Sequence, residues 1–130
     1  MERGVRVLLA DNNDALRRMR RAALEALALD VVGEAGEGCA AVQATRRLAP
    51  DVVLLDYHMP LMDGMDAARL IRRDPCAPAI IMLAGRVTPA LAASAAACGV
   101  FALLEKGRPL SDLHAAIMAA CGLIGLERAA

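Results

Sequence analysis

The chain has 130 residues, enough for one domain with a real core, and 58% of them are apolar while only 2% are aromatic. Fifteen basic residues balance fifteen acidic ones, which argues against a domain that grips nucleic acid by its own charge. The most apolar stretches, 78–85 and 91–104, are broken by Pro, Gly or Ser, so no membrane span is expected.

Glu2 and Arg3 lead straight into the first strand pattern, "VRVLLA" (5–10), with no signal peptide ahead of it. A helical stretch follows near 14–28, with Asn13 placed to cap it. "VVGEA" (31–35) reads as the second strand and 38–48 as the second helix. "DVVLLD" (51–56) is the third strand, and Asp63 and Gly64 form a turn that starts the third helix, 64–73. "AIIMLA" (79–84) is followed by a helix at 89–98, with Pro89 in its first turn and Gly99 as its stop. "VFALLE" (100–105) is the last strand, and the helix at 110–121 has Pro109 at its first turn and Gly122 at its end.

The near-continuous apolar character of the strands suits a sheet covered on both faces. Strict strand–helix alternation then implies an α/β fold, a doubly wound five-stranded parallel sheet with five helices. Ligands of such sheets sit beyond the carboxyl ends of the strands. Asp11 and Asn12 follow strand 1, Asp56 ends strand 3, Ala84 ends strand 4, and Lys106 follows strand 5. Two acids and a lysine, remote in sequence, are thereby expected at one edge. The four cysteines, Cys39, Cys76, Cys98 and Cys121, form no CxxC pair. Zinc and dithiol redox chemistry are not indicated, and reduced, mostly buried thiols in a cytoplasmic protein are expected.

"VLLADNN", "VVLLDYHMPLMDGMDAARLIR" and "GVFALLEKG" together make the chain resemble the receiver domain of bacterial two-component response regulators. The likeness covers nearly the whole chain, 1–130, with a core near 5–122 and a tail or linker start at 123–130. It is nearest to receivers that carry LuxR-type helix-turn-helix outputs. The resemblance implies a flavodoxin-like (CheY-like) fold of strand order 2-1-3-4-5 and phosphoryl transfer from a histidine kinase to Asp56. It implies Mg²⁺ held by Asp56, by Asp11 through water and by the backbone carbonyl of His58, with Asn12 left as a weakened ligand and Lys106 against the phosphoryl oxygens. The chemistry agrees, since phosphoryl transfer to a carboxylate gathers negative charge that cations must offset.

Three positions depart from the family pattern. Asn12 replaces the second acid of the pair and removes a unit charge, worth at most ~4 kcal/mol at about 4 Å and intermediate dielectric. Weak Mg²⁺ binding is the expectation. Ala84 lacks the hydroxyl that in the family bonds the phosphoryl group, and Leu103 stands at the family's switch aromatic. Phe101 shares the parity of Leu103 but is not assumed to replace the ring. Gly107 follows the lysine in place of a common proline, so no cis peptide is expected there.

Each residue also has a plainer reading. Lys106 and Asp11 could form a structural ion pair with Asp56. Asn12 could cap the first helix, Asp14 could serve its dipole, and His58, Arg86 and His114 read as exposed. Arg17, Arg18, Arg20 and Arg21 read as a solvated face of helix 1. Helix 5, "PLSDLHAAIMAACG", is apolar on more than one face, which points to a homodimer through helices 1 and 5 around Ile117 and Met118. The leading reading is a non-enzymatic receiver domain, with a DNA-binding output domain expected outside this chain. The alternative is a degenerate pseudo-receiver that binds or dimerises without phosphorylation. A small phosphatase is disfavoured because His58 stands where a second acid is needed. A nucleotide- or flavin-binding flavodoxin relative is disfavoured because "ADNNDA" has no glycine to cradle phosphate.

Overall fold

In the computed structural model, which describes residues 4–122, ten elements alternate. They are β1 (Arg6–Ala10), α1 (Asp14–Ala26), β2 (Asp30–Ala35), α2 (Gly38–Leu48), β3 (Val52–Asp56), α3 (Gly64–Arg72), β4 (Ala79–Ala84), α4 (Pro89–Ala97), β5 (Ala102–Glu105) and α5 (Leu110–Ala120). The sheet is parallel throughout, in the order β2-β1-β3-β4-β5, as expected. The tail expected at 123–130 lies outside the described residues.

Alternation of side chains across the pleat divides the core in two. Val7, Leu9, Val52, Leu54, Ile81 and Leu83 point to the face covered by Leu24 of α1 and by Leu113 and Ile117 of α5. Leu8, Val53, Leu55, Ile80 and Met82 point to the other face, beneath α2 and α3 and Ala95 of α4. β3 is buried along its whole length, which is why its sequence shows no polar alternation.

Local chemistry fixes the ends of the helices. The Asn13 side chain accepts the Leu16 N–H at 3.0 Å, Asp63 accepts that of Asp66 at 2.9 Å, and Thr88 accepts that of Leu91 at 3.1 Å. Gly99 and Gly122 leave their helices at φ of +79° and +77°, the left-handed stop expected of them. Pro109 is the residue before α5 rather than in its first turn. Arg6 donates to the carbonyls of Leu48 and Ala49 and so closes the carboxyl end of α2.

Several expectations are corrected. β5 starts at Ala102, and Phe101, 49% exposed, precedes it, so the aromatic ring does not share a strand face with Leu103. The thiols are not mostly buried: Cys39 and Cys76 are exposed, and Cys98 and Cys121 are intermediate. Cys39 faces outward from the first turn of α2, and Cys76 lies in the loop after α3. His114 is half-buried rather than exposed. Met118 packs against the α1/α5 core of its own domain, so much of the apolar surface of α5 is already covered.

Candidate functional site

The carboxyl ends of β1, β3, β4 and β5 form one rim. Ala10 pairs with Leu55, so Asp11 and Asp56 follow on neighbouring strands. The Asp11 N–H donates to the Ala35 carbonyl at 3.0 Å, and the Lys106 N–H donates to Ala84 at 2.8 Å, which ties both residues to the sheet. β5 lies two strands from β3, about 10 Å away, and the long stem of Lys106 spans that gap. Its Nζ meets Asp56 Oδ1 at 2.8 Å. Ala84, buried at the end of β4, stands between them and offers no hydroxyl.

Asp56 is 2% exposed. Its Oδ1 also accepts the His58 N–H at 3.2 Å. Its Oδ2 is buried and has no hydrogen-bond partner among the described residues. A buried carboxylate oxygen left unpaired is costly, and one at a strand end beside a lysine is poised to receive an electrophile or a cation. The loop after β3 has a steric reason for its sequence. A Cβ on Gly64 would come within 2.5 Å of the Asp56 carbonyl and 2.8 Å of Tyr57 Cα. Its N–H donates to the Tyr57 carbonyl at 2.8 Å, so α3 begins hard against the acidic strand end. Only glycine fits there.

Asp11 is 1% exposed, and both of its oxygens are engaged. Oδ1 accepts the Asn13 N–H at 2.8 Å, and Oδ2 pairs with Arg20 Nη1 at 2.8 Å. The plainer ion-pair reading therefore holds for Lys106 with Asp56, whereas Asp11 pairs with Arg20. Asn12 is exposed, and Asn13 rather than Asn12 caps α1. Gly107 has φ of +90°, a conformation closed to proline, which accounts for the departure at that position. Leu103 is partly buried against the α2/α3/α4 core, with no ring to turn outward. His58 and Arg86 are exposed, as expected.

The arginine cluster of α1 is not a solvated face. Arg17 bonds Glu34 at 2.8 Å, Asp14 at 2.9 Å and the Asp11 carbonyl at 2.7 Å, while Arg21 bonds Glu34 at 2.6 Å. Hydrogen bonds from Arg21 and then Arg17 hold the Glu34 carboxyl below its usual range. Only Arg18 of the four keeps to solvent in that sense, being exposed. Arg20 is the residue that sequence reasoning missed as part of the site. Helical spacing carried the signal: Arg17 and Arg20 lie seven and four residues before Leu24, the buried residue of α1, and so share its inward stripe.

The donors around Asp56 fit a hard, oxygen-seeking ion in kind, and the unpartnered Oδ2 gives such an ion an anchor. Among the described residues no three His, Cys, Asp or Glu side chains gather to hold a metal. An ion here would complete its shell from backbone carbonyl, amide oxygen and water, as Mg²⁺ commonly does.

A sequence profile described as the response regulator receiver domain matches residues 7–118. The transcriptional regulatory protein LiaR of Bacillus subtilis is 34% identical over 117 residues, which is 89% of this chain and 56% of that protein. The signal receiver domain of the putative response regulator NarL from Mycobacterium tuberculosis superposes with a TM-score of 0.85 at 30% identity, covering 92% of this chain and 98% of that one. A LuxR-family two-component response regulator from Aurantimonas superposes with a TM-score of 0.87 at 27% identity, covering 92% and 86%. The chain spans about half the length of LiaR, 56%.

Proposed function

The chain belongs to the response regulator receiver domain family, and on that premise we propose that Asp56 is its phosphoacceptor and a histidine kinase its donor. The observation that carries this reading is the buried, unpartnered Oδ2 of Asp56, with Lys106 bonded to the other oxygen. The Asp56 carboxylate is the nucleophile. It forms the new O–P bond as the P–N bond of a phosphohistidine breaks and the imidazole leaves with the electron pair. Lys106, a compact point charge, then faces the phosphoryl oxygens. Asp11, Asp56, the His58 carbonyl and the Asn12 amide oxygen are the donors that would hold Mg²⁺, weakly. When bound, the ion would offset the negative charge of the phosphoryl oxygens.

Ala84 and Leu103 support a second part of the reading. With neither a hydroxyl at the end of β4 nor a ring on β5, the phosphorylated site has little means to move α4. The LuxR-family neighbour and LiaR support a DNA-binding output joined to this domain in a cytoplasmic regulator. No helix among the described residues is long and apolar enough to cross a membrane. A homodimer through α1 and α5 is part of the proposal, with Leu16, Met19 and Leu110 as the exposed apolar residues of that side.

Intact-protein mass spectrometry with acetyl phosphate as donor tests the reading. One added phosphoryl group at elevated Mg²⁺ is expected, lost in Asp56→Asn and reached at lower Mg²⁺ in Asn12→Asp. No mass increase at any Mg²⁺ concentration, with or without Asn12→Asp, would refute it in favour of the pseudo-receiver.

A further inference from the structure

We propose that Arg20 is an internal cation that holds Asp11 in place of a divalent ion, so that an ion enters this site only by displacing the guanidinium. The inference rests on the phosphoacceptor reading of the site, and concerns how its metal is regulated.

Two independent features lead to it. The first is occupancy. Arg20 Nη1 takes Asp11 Oδ2 at 2.8 Å, and the Asn13 N–H takes Oδ1 at 2.8 Å, so each oxygen of the buried acid already has a partner. The second is charge. The rim carries two buried carboxylates, Asp11 and Asp56, and each is matched by one cation, Arg20 and Lys106. Asn12 contributes none. A divalent ion approaching this set meets a pocket that is already neutral, whereas two adjacent acids and no arginine would leave two charges in excess. Asn12 and Arg20 act in the same direction. One removes an anion from the site, and the other neutralises an anion that remains.

The arginine has somewhere to go. Arg20 and Lys106 both line a cavity of about 180 Å³ between α1 and the β5–α5 segment. Leu16, Met19, Leu104 and Leu110 form its apolar walls. A guanidinium stem lies readily along such a surface with its head in water. Arg20 is 18% exposed at its side chain, so it is not sealed into the core. Displacement therefore breaks one ion pair without burying a free charge, and Asp11 is handed from one cation to another.

Metal affinity can be read with no phosphoryl donor present. Mn²⁺ serves as the probe, titrated into the full chain while the electron paramagnetic resonance signal of the free ion is followed. Arg20→Gln should tighten Mn²⁺ binding by about tenfold, since one opposing charge at close range is removed. The double variant Asn12→Asp with Arg20→Gln should tighten it further than either change alone. Unchanged binding in an Arg20→Gln chain that unfolds at the wild-type midpoint would overturn the proposal. A second measurement covers the case in which that variant does not fold. In the wild-type chain the Arg20 Nε–H resonance should move with the same midpoint as Mg²⁺ binding, and a signal that stays fixed through saturation would equally overturn it. Failure of acetyl phosphate labelling with these metal results intact would strike the phosphoacceptor reading instead.

Discussion

Lys106→Ala isolates the energetic state of the Asp56 carboxylate. Asp56 is 2% exposed, and the substitution leaves its charge with one N–H donor, that of His58 at 3.2 Å, and an Oδ2 that already had none. Stripping one partner from a fully buried pair costs about 3–5 kcal/mol. Here the lysine side chain is 30% exposed, and water can follow into the space it leaves, so the expected loss is about 2 kcal/mol. For a domain of this size that lowers the melting temperature by about 8 °C. Asp56→Asn removes the charge that causes the loss, so the double variant should recover most of it, to within about 0.5 kcal/mol of Asp56→Asn alone. Urea unfolding of the wild type, both single variants and the double variant closes the cycle. A Lys106→Ala loss below about 0.5 kcal/mol, or a double variant no better than Lys106→Ala, would refute the argument that Asp56 is a buried charge dependent on its lysine.

Glu34 should contribute to stability above the usual glutamate range, because its folded carboxyl is held low by Arg21 and Arg17. The sign follows: that contribution is lost as pH falls through the lowered value, and Glu34→Gln should cost about 1 kcal/mol at pH 7 and nothing at strongly acid pH, read by denaturant midpoints. A cost independent of pH would contradict the ion-pair account. A phosphoryl mimic should shift the amide resonances around Asp56 more than those of residues 86 to 98, given Ala84 and Leu103; equal shifts in α4 would mean another relay exists. In sedimentation across a concentration series the chain should self-associate, and Met19→Glu should weaken this, since Met19 is 64% exposed on α1. A monomer at every concentration would dispose of the α1/α5 dimer.

The parts of the fold that could be read from sequence are those in which one physical cause dominates. Strands covered on both faces must be apolar throughout, so β3 and β4 announce themselves, and β4 falls on 79–84 as read. Asp56 and Lys106 were legible because a charged residue that ends such a run has few reasons to be there. β5 was overextended because apolarity alone does not tell a paired residue from an exposed one, and Phe101 is the latter. Cys39 and Cys76 misled for a similar reason: their small side chains sit on an outward helix position and in a loop, which composition does not reveal. Arg20 failed differently. Four arginines within five positions look alike in a string, and only the direction of each Cβ separates Arg18, which is exposed, from Arg20, which turns toward Asp11.

On the proposed function, that orientation bears on how metal binding and phosphorylation at the rim would depend on each other. In the resting pocket Lys106 and Arg20 already balance Asp56 and Asp11. A phosphoryl group on Asp56 upsets the balance by adding negative charge beside a lysine that can answer only part of it. The excess favours any cation that can reach the rim, and a divalent ion answers it better than the guanidinium it displaces. Metal binding and phosphorylation would then be coupled, and linkage would make the coupling reciprocal for a non-covalent phosphoryl mimic: whatever factor the mimic adds to metal affinity, the metal adds to the affinity for the mimic. A coupling of 1–3 kcal/mol would correspond to about 5–150-fold. With a phosphoryl mimic present, Mn²⁺ should therefore bind tighter by a factor in that range, and by a smaller factor in Arg20→Gln, where the resting pocket already carries an unanswered charge. Equal tightening in both chains would mean that Arg20 stands outside the exchange.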